Sequence, residues 1–449
     1  MNRTLDMTKG SPLKLLLLFG FPILLGNLFQ QFYTFFDSII VGSFVGDNAL
    51  AAINATMAIS NLFISVFSGL ALGAQVMISQ AFGAKNITKI KNILNVSTAL
   101  SIVLGLVVVL ATYLLAPLFV EITHCDPAFS SEATLYLRVT SFGLFFLVFY
   151  NLETSILRGI GDSIRPLFFL IVSSVVNIIL DLVFIIVFKM GIEGAGLATV
   201  ISQMLSAYLV YKVISSEKFI CPLRFKEIRI ILKELQGIFK IGIPTSIQNS
   251  LIQLSNILIQ SSINGFGIYA TAGAGVSNRI GGFINTTIFS IAMAITSFIA
   301  QNYGAQKNSR VNSGRRVAMK LILVIVISSS SLIYFIAPTI VNLFSNNAEV
   351  IYYGSLSLRV NSFGFIFLGI THVYSGVLRG LGKTEIPMYI TMISWCLFRV
   401  LWVFIAIGLD HDIFLLFIAR PISWLLSTIA IIIYYHRNIN HLLRKNVSY

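Results

Sequence analysis

Three acidic residues, Asp37, Glu153 and Asp181, interrupt long apolar stretches of the sequence. If those stretches cross a bilayer, each charge costs about 2.5–3.5 kcal/mol at the membrane centre. Each acid therefore needs a polar partner, a proton or a bound cation. These three positions are the strongest candidates for chemistry in the chain.

The segment NIILDLVFI places Asn177 four positions before Asp181, so both side chains project from one face of a helix. Counting the helical rise puts Asp37 and Thr199 at a similar depth, in the outer half of the membrane. Two carboxylates, an amide and a hydroxyl are oxygen ligands that suit a hard cation such as Na⁺. Desolvation and repulsion between like charges also favour a carboxyl pair that holds a proton. We therefore predict a site for H⁺ or Na⁺ at Asp37, Asn177, Asp181 and Thr199.

A purely structural role for these four residues stays open. Hydrogen bonds between membrane helices contribute about 1 kcal/mol each and would explain the amide and the hydroxyl. Helix attachment alone does not require two acids, so we favour the ion site.

The other buried charges allow two interpretations each. Glu153 lies near the predicted inner end of its span, five positions before Arg158, where it either pairs or snorkels to the surface, or belongs to a cation pathway. Arg279 and Arg399 either bridge to backbone carbonyls or line a cleft.

Pro22 and Pro244 lie at matching places in two predicted spans. Proline removes one backbone donor and clashes with the preceding turn, so it bends or breaks a helix. Both prolines are candidate hinges, and a static kink that serves packing is the alternative.

The composition identifies the elements that must hold these residues. The 449 residues are 56% hydrophobic and 11% charged, with a mean hydropathy of +0.88, whereas soluble domains carry about 25% charged residues. We predict a polytopic membrane protein with twelve spans, because a helix needs about 20 apolar residues to cross. The predicted spans are 12–42, 48–80, 90–118, 131–157, 166–188, 194–214, 234–264, 268–300, 312–338, 349–378, 386–408 and 412–436.

Most of the 31 Lys and Arg residues fall in alternate connections and at the two ends of the chain. Because such residues accumulate on the cytoplasmic side, both termini are predicted to be cytoplasmic. The net charge of +14 is then a topology signal. A nucleic-acid partner is not expected.

An internal repeat relates the two halves. LRVTSFG at Leu137 recurs as LRVNSFG at Leu358, and LRGIGDSIRP at Leu157 recurs as LRGLGKTEIP at Leu378. An even number of spans in each repeat gives both halves the same orientation. We predict an all-α membrane protein with twelve transmembrane helices in two pseudo-symmetric six-helix bundles. The predicted domains are an N-terminal lobe (1–214), a cytoplasmic linker (215–232) and a C-terminal lobe (233–449).

The repeat also supplies an internal control for the predicted ion site. Its second-lobe counterparts of Asp37, Asn177, Asp181 and Thr199 are Ile259, Phe398, Trp402 and Arg420. The repeated scaffold therefore does not require the four polar groups.

Signals for an enzyme are weak. GLGKTE at Gly380 lacks the first glycine of a phosphate-binding loop, because position 377 is valine. The histidines show no metal spacing, and Cys125, Cys221 and Cys396 show no pairing pattern. We expect neither catalysis nor a cofactor.

These features together resemble a known family. QQFYTFFDSIIVG on the first span, LRGIGDSIRP after the fourth, NIILDLVFI on the fifth and a proline opening each repeat are similar to the multidrug and toxic compound extrusion (MATE) family. The resemblance covers nearly the whole chain. The pattern of acids resembles the prokaryotic branch whose cation site lies in the N-terminal lobe.

The resemblance implies a multi-pass protein of the cell (inner) membrane that exports amphipathic, often cationic compounds in exchange for H⁺ or Na⁺ by alternating access. Candidate substrate contacts are Gln30, Tyr33, Thr154 and Asn177. The expected partners are small molecules and lipid, and we expect a monomer.

Two other classes of protein remain open. A flippase for lipid-linked oligosaccharides or peptidoglycan precursors would usually have more spans and a strongly cationic cavity, whereas this sequence offers only Arg279 and Arg399 for such a cavity. A channel or receptor would act without ion coupling.

Overall fold

The computed structural model describes residues 4–123, 125–409 and 412–444, and in these ranges the protein is built of helices and turns without a β-strand. Residues at the chain ends and in two predicted outer loops (1–3, 124, 410–411 and 445–449) lie outside the described residues. The first six spans are α1 (Pro12–Phe44), α2 (Asp47–Gly83), α3 (Ile87–Ile122), α4 (Pro127–Gly159), α5 (Ile164–Asp181) continued by a π-helical segment (Leu182–Val187), and α6 (Ile192–Ile214).

The second series repeats this order after a linker that contains a short 3₁₀ turn (Phe225–Glu227). It consists of α7 (Leu232–Asn264), α8 (Ile268–Gly304), α9 (Asn308–Asn342), α10 (Ala348–Gly380), α11 (Glu385–Thr391) joined through a π-helical segment (Met392–Leu397) to α12 (Phe398–Leu409), and α13 (Ile413–Arg444). The segments α11 and α12 form one span, so each series contributes six.

Eleven spans in the described part of the chain are long and apolar enough to cross a membrane. The remaining span is α7, which has 33 residues but contains many polar ones, as in its stretch TSIQNS. The predicted fold, an all-α membrane protein with twelve helices, is confirmed.

Side-chain caps fix several helix starts. The Asn86 side chain accepts a hydrogen bond from the Lys89 amide at 2.9 Å and begins α3. Asp126 accepts from the Ala128 amide at 2.8 Å and is followed by Pro127 at the first helical position of α4. Both satisfy amides that a helix start leaves without partners. The predicted spans began several residues inside these caps.

The chain divides into two compact units whose boundaries cut through α1 and α7. The first unit is Pro22–Ser246 with the segment ending at Leu5, and the second is Asp6–Phe21 with the chain from Ile247 onward. The predicted lobes, 1–214 and 233–449, therefore differ from the observed units at the starts of α1 and α7. The reason is packing: an added Cβ on Gly20 would lie 3.3 Å from the Ala294 Cβ, so the start of α1 packs on α8 in the second unit.

Close approach of α2 and α7 explains the other boundary. A Cβ added to Gly73 would lie 2.5 Å from the Ile238 carbonyl oxygen, and Ser246 donates a hydrogen bond to the Val66 carbonyl at 2.7 Å. Small residues such as Gly73 and Ser246 let membrane helices approach at the backbone level. The first half of α7 therefore belongs to the first unit.

Candidate cation site

Three helices of the first unit, α1, α5 and α6, bring the four predicted ion-site residues into the protein interior. The exposed fractions are 6% for Asp37, 1% for Asn177, 0% for Asp181 and 8% for Thr199. The Asp37 carboxyl group lies beside that of Asp181, within range of direct polar contact. The predicted convergence of two acids from separate spans is present in the fold, and their role as ion ligands stays a prediction.

The acidic pair lacks donors that would stabilise it as two free carboxylates. Oδ1 of Asp37 and both carboxyl oxygens of Asp181 have no hydrogen-bond partner in the described chain. The Asn177 amide, one turn earlier on α5, likewise has no partner within that part of the protein. Unpaired carboxylates in a low-dielectric interior are costly. A proton or a cation between the two acids removes that cost.

Two tyrosines complete the polar cluster. The phenol groups of Tyr33 on α1 and Tyr136 on α4 approach the Thr199 hydroxyl group, and both lie in the electrostatic field of Asp37 and Asp181. Tyr33 was predicted as a substrate contact, but Tyr136 was not predicted. A lone tyrosine in the apolar stretch TLYLRV looks like an ordinary core residue, so its sequence held no signal.

The backbone is irregular directly after Asp181, where α5 continues as a π-helical segment, Leu182–Val187. Such segments are rare and occur frequently at functional sites. An apolar cluster borders the polar one: Ile40, Val41 and Ile185 are at most 6% exposed, and Tyr136 and Ile178 pack against the cluster. This surrounding keeps the local dielectric low, which strengthens electrostatic interactions between the acids.

The second unit provides the comparison that the repeat predicted. Ile259, the counterpart of Asp37, is 1% exposed in an apolar cluster, and Trp402, the counterpart of Asp181, packs against that cluster. The Trp402 ring lies against the Phe398 ring in a tilted arrangement, with 5.5 Å between the ring centroids. The same scaffold position is therefore filled by apolar packing in one unit and by acids in the other.

Glu153 differs from its sequence-based interpretation. It is fully buried on α4, and neither carboxyl oxygen has a hydrogen-bond partner among the described residues. The hydroxyl groups of Thr98 and Ser101 lie beside it, but they donate to carbonyls of their own helix at 3.0 and 2.9 Å. Pairing with Arg158 is therefore wrong, because five residues on a helix do not place the two side chains on one face. Snorkelling to the surface is also wrong, because the Glu153 side chain is fully buried.

The remaining predicted substrate contacts lie in different environments. Gln30 is exposed on α1, whereas Thr154 is 1% exposed and donates to the Tyr150 carbonyl at 2.7 Å. A substrate contact at Thr154 would need a conformation that uncovers it. Both remain predictions.

The predicted hinges and arginines are also placed. Pro22 lies within α1 at the boundary of the two units and lines a small cavity with Asn27 and Arg158, while Pro244 lies two residues before the boundary in α7. Arg279 is exposed. Arg399 is 1% exposed and bonds to side chains, so the predicted bridge to backbone carbonyls is wrong.

Two repeated sets of membrane-spanning helices, with a buried acidic pair in one of them, define a multi-pass membrane protein with a candidate ion site. A family model described as MatE matches residues 22–183 and 244–405, one match in each repeat. The chain belongs to this MATE family of multidrug efflux transporters and is not an enzyme.

Curated relatives and solved structures agree with this assignment. The chain is 28% identical over 448 residues to a probable multidrug resistance protein, YoeA, of Bacillus subtilis, covering 96% of this chain and 95% of the relative. It is 25% identical over 378 residues to the multidrug export protein MepA of Staphylococcus saprophyticus, covering 84% and 83%. A solved MATE transporter of the MOP superfamily in an outward-facing conformation has a TM-score of 0.89 at 22% identity, covering 97% and 98%, which shows the shared fold.

Proposed function

We propose that the chain is a secondary active multidrug exporter that exchanges H⁺ or Na⁺ for amphipathic, often cationic compounds. The observation that carries this proposal is the buried pair of Asp37 and Asp181, whose oxygens find no donor in the described protein. The names of the relatives, multidrug resistance and multidrug export proteins, support the class of substrate.

The coupling follows from differential binding. An ion shifts the balance between two conformations only if it binds one of them more tightly. A conformation in which the apolar cluster encloses the acidic pair favours the ion-loaded form, because burying two free carboxylates in a low-dielectric interior costs free energy. Binding of the ion then drives the alternation of access that expels the substrate.

The test is dye efflux from proteoliposomes that contain the purified protein. A pH gradient and a sodium gradient are imposed separately, each at zero membrane potential. We expect one of the two gradients to drive export of a cationic dye at least tenfold faster than no gradient. Efflux that is indifferent to both gradients contradicts coupled export and favours the channel class.

The flippase alternative is not favoured by the relatives and structures named above. The same vesicles distinguish the two classes if headgroup flipping of a fluorescent lipid is measured beside dye efflux. The proposal expects efflux without flipping.

The membrane placement is part of the proposal. Cationic residues concentrate in the amino-terminal segment, the linker and the α8–α9 turn, for example at Lys9, Lys226 and Lys307. We infer that the protein spans the cell membrane and that both termini lie on its cytoplasmic side. One chain already carries both repeats, so a monomer suffices as the transporting unit.

The proline of α1 gives a prediction about the conformational step. Pro22→Ala restores a backbone donor in α1 and removes the ring clash, so the helix becomes harder to bend. We expect export to fall at least tenfold while ion-dependent thermal stabilisation remains, since Asp37 lies four turns further on. Pro117→Ala, at an exposed proline inside α3, is the matched control and should export normally. Normal export by Pro22→Ala would remove the hinge from the mechanism.

A further inference from the structure

Two arginines of the second unit, the buried Arg399 and the partly buried Arg420, form no ion pair with an acid among its described residues. Arg399 on α12 is 1% exposed, and Arg420 on α13 lies close enough for the two positive charges to repel each other. The recorded ion pairs of the described chain involve neither residue. Two like charges inside an apolar unit require a counter-charge or a large set of neutral acceptors.

The contacts of Arg399 are neutral. Its Nε donates to the Ser423 hydroxyl at 2.9 Å, and its Nη1 donates to the Ser255 hydroxyl at 3.2 Å and to the Asn256 carbonyl oxygen at 3.4 Å. The guanidinium lies over the Trp395 ring, 5.2 Å from its centroid. These contacts fix the orientation of the guanidinium but leave its charge uncompensated.

Arg420 is held in a similar way and keeps a free donor. Its Nη1 donates to the Asn278 carbonyl oxygen at 2.6 Å, and its buried Nε has no partner within the described chain. Ser423, which accepts from Arg399, donates to the Arg420 backbone carbonyl at 2.7 Å. One hydroxyl therefore links the two arginines in one polar cluster.

Acids of this unit lie elsewhere. Its four described acids stand at helix starts or before them, in the order Asp6, Glu349, Glu385 and Asp412. A buried acid can be neutralised by a proton, but a guanidinium keeps its charge in proteins. The acids of the described unit therefore do not supply a counter-charge, whereas a bound anion would supply one.

We propose that Arg399 and Arg420 form a binding site for a small anion, either an inorganic ion such as chloride or the carboxylate or sulfonate group of an organic solute. The π-helical segment Met392–Leu397 ends two residues before Arg399, at the kind of helix irregularity often found at functional sites. Cation-coupled export does not require this site, so the inference goes beyond the proposed function. A clamp between helices would need only one arginine and would leave no donor free.

The chain contains its own reporter for this site. All three tryptophans, Trp395, Trp402 and Trp424, belong to the second unit, and the rings of Trp395 and Trp424 are 6.3 Å apart. Iodide quenches tryptophan fluorescence on contact and is itself a small anion. Titrating the purified full-length protein with iodide at constant ionic strength should give saturable quenching. The neutral quencher acrylamide should give a linear response.

Variants test the assignment to these residues. Arg420→Gln should raise the iodide concentration at half-saturation at least tenfold, and Arg420→Lys should restore part of the affinity. Arg437→Gln, at an exposed arginine of α13, is the matched control and should match the unaltered protein. If Arg420→Gln does not fold, Arg420→Lys and the competition experiment in the unaltered protein decide.

Competition distinguishes the two sources of the anion. Displacement of iodide by chloride identifies an inorganic ion, and displacement by benzenesulfonate without chloride identifies the charged group of an organic solute. Linear iodide quenching that neither competitor changes, with the same slope in Arg420→Lys, would overturn the proposal and leave the arginines as helix clamps.

Discussion

Asp181→Asn and Asp37→Asn are each expected to abolish ion-driven export while the protein still inserts and folds. Each change replaces a buried carboxylate with an amide of nearly the same shape. The amide cannot take up a proton and is a much poorer ligand for Na⁺. The energetic link between the ion and the conformation is then lost.

The expected size of the loss in export follows from how strongly the ion must favour one of the two conformations. Moving a two-state equilibrium from 1:99 to 99:1 needs an ion that binds one state about 10⁴-fold more tightly, which is about 5.5 kcal/mol. Neutral oxygens from Asn177 and Thr199 do not supply that difference, because the driving term is the removal of unpaired negative charge from a buried site. We expect gradient-driven dye efflux to fall to the level of empty vesicles.

Thermal unfolding in detergent separates this loss from misfolding. In the unaltered protein, the coupling ion should raise the unfolding midpoint, since a ligand at 100 times its Kd stabilises by about 2.7 kcal/mol. In both Asn variants the midpoint should stop responding to the ion and should not fall, because a neutral amide is cheaper to bury than a charge.

Asp47→Asn is the matched control, since Asp47 is an exposed acid in the first turn of α2. It should keep both export and ion-dependent stabilisation. Full drug export in both Asp37→Asn and Asp181→Asn, with Asp47→Asn equally active, would refute the acidic pair as the coupling site.

The fold was largely predictable because the spans of a membrane protein are long apolar segments, in which the few polar residues are easy to recognise. The number of spans was predicted from the lengths of the apolar segments, and the repeat was predicted from motifs that recur at a fixed interval. The four predicted ion-site residues were chosen by residue type and by their depth along the helices. A charge within a span is rare enough that its position alone is informative.

Other features depend on contacts between distant segments and left no local signal. Tyr136, on α4, lies in the polar cluster beside Asp37 and Asp181, but its sequence context is that of a core aromatic residue. The unit boundaries lie inside α1 and α7, which continue as helices across them, so periodicity does not change there. The π-helical segments use ordinary apolar residues and are equally silent in the sequence.

Gly73→Ala is expected to be among the most damaging single changes for folding. The added Cβ would lie 2.5 Å from the Ile238 carbonyl oxygen, 3.0 Å from the Gly242 nitrogen and 3.2 Å from the Gly242 Cα. All three atoms are backbone, so relief requires α2 and α7 to move apart rather than a side chain to rotate. Overpacking typically costs about 1–3 kcal/mol, and separation of a close helix pair adds lost dispersion contacts. We expect a lower unfolding midpoint in detergent and reduced yield of monodisperse protein.

Gly275→Ala makes the same chemical change where space is free, because no atom lies within 4 Å of the Cβ it would add on α8. Alanine is preferred over glycine in a helix by about 1 kcal/mol, so this variant should be as stable as the unaltered protein or more so. The contrast isolates the clash from helix propensity, which improves in both variants. Equal unfolding midpoints for Gly73→Ala and Gly275→Ala would mean that α2 and α7 do not approach at backbone distance, and the assignment of the first half of α7 to the first unit would fall with that contact.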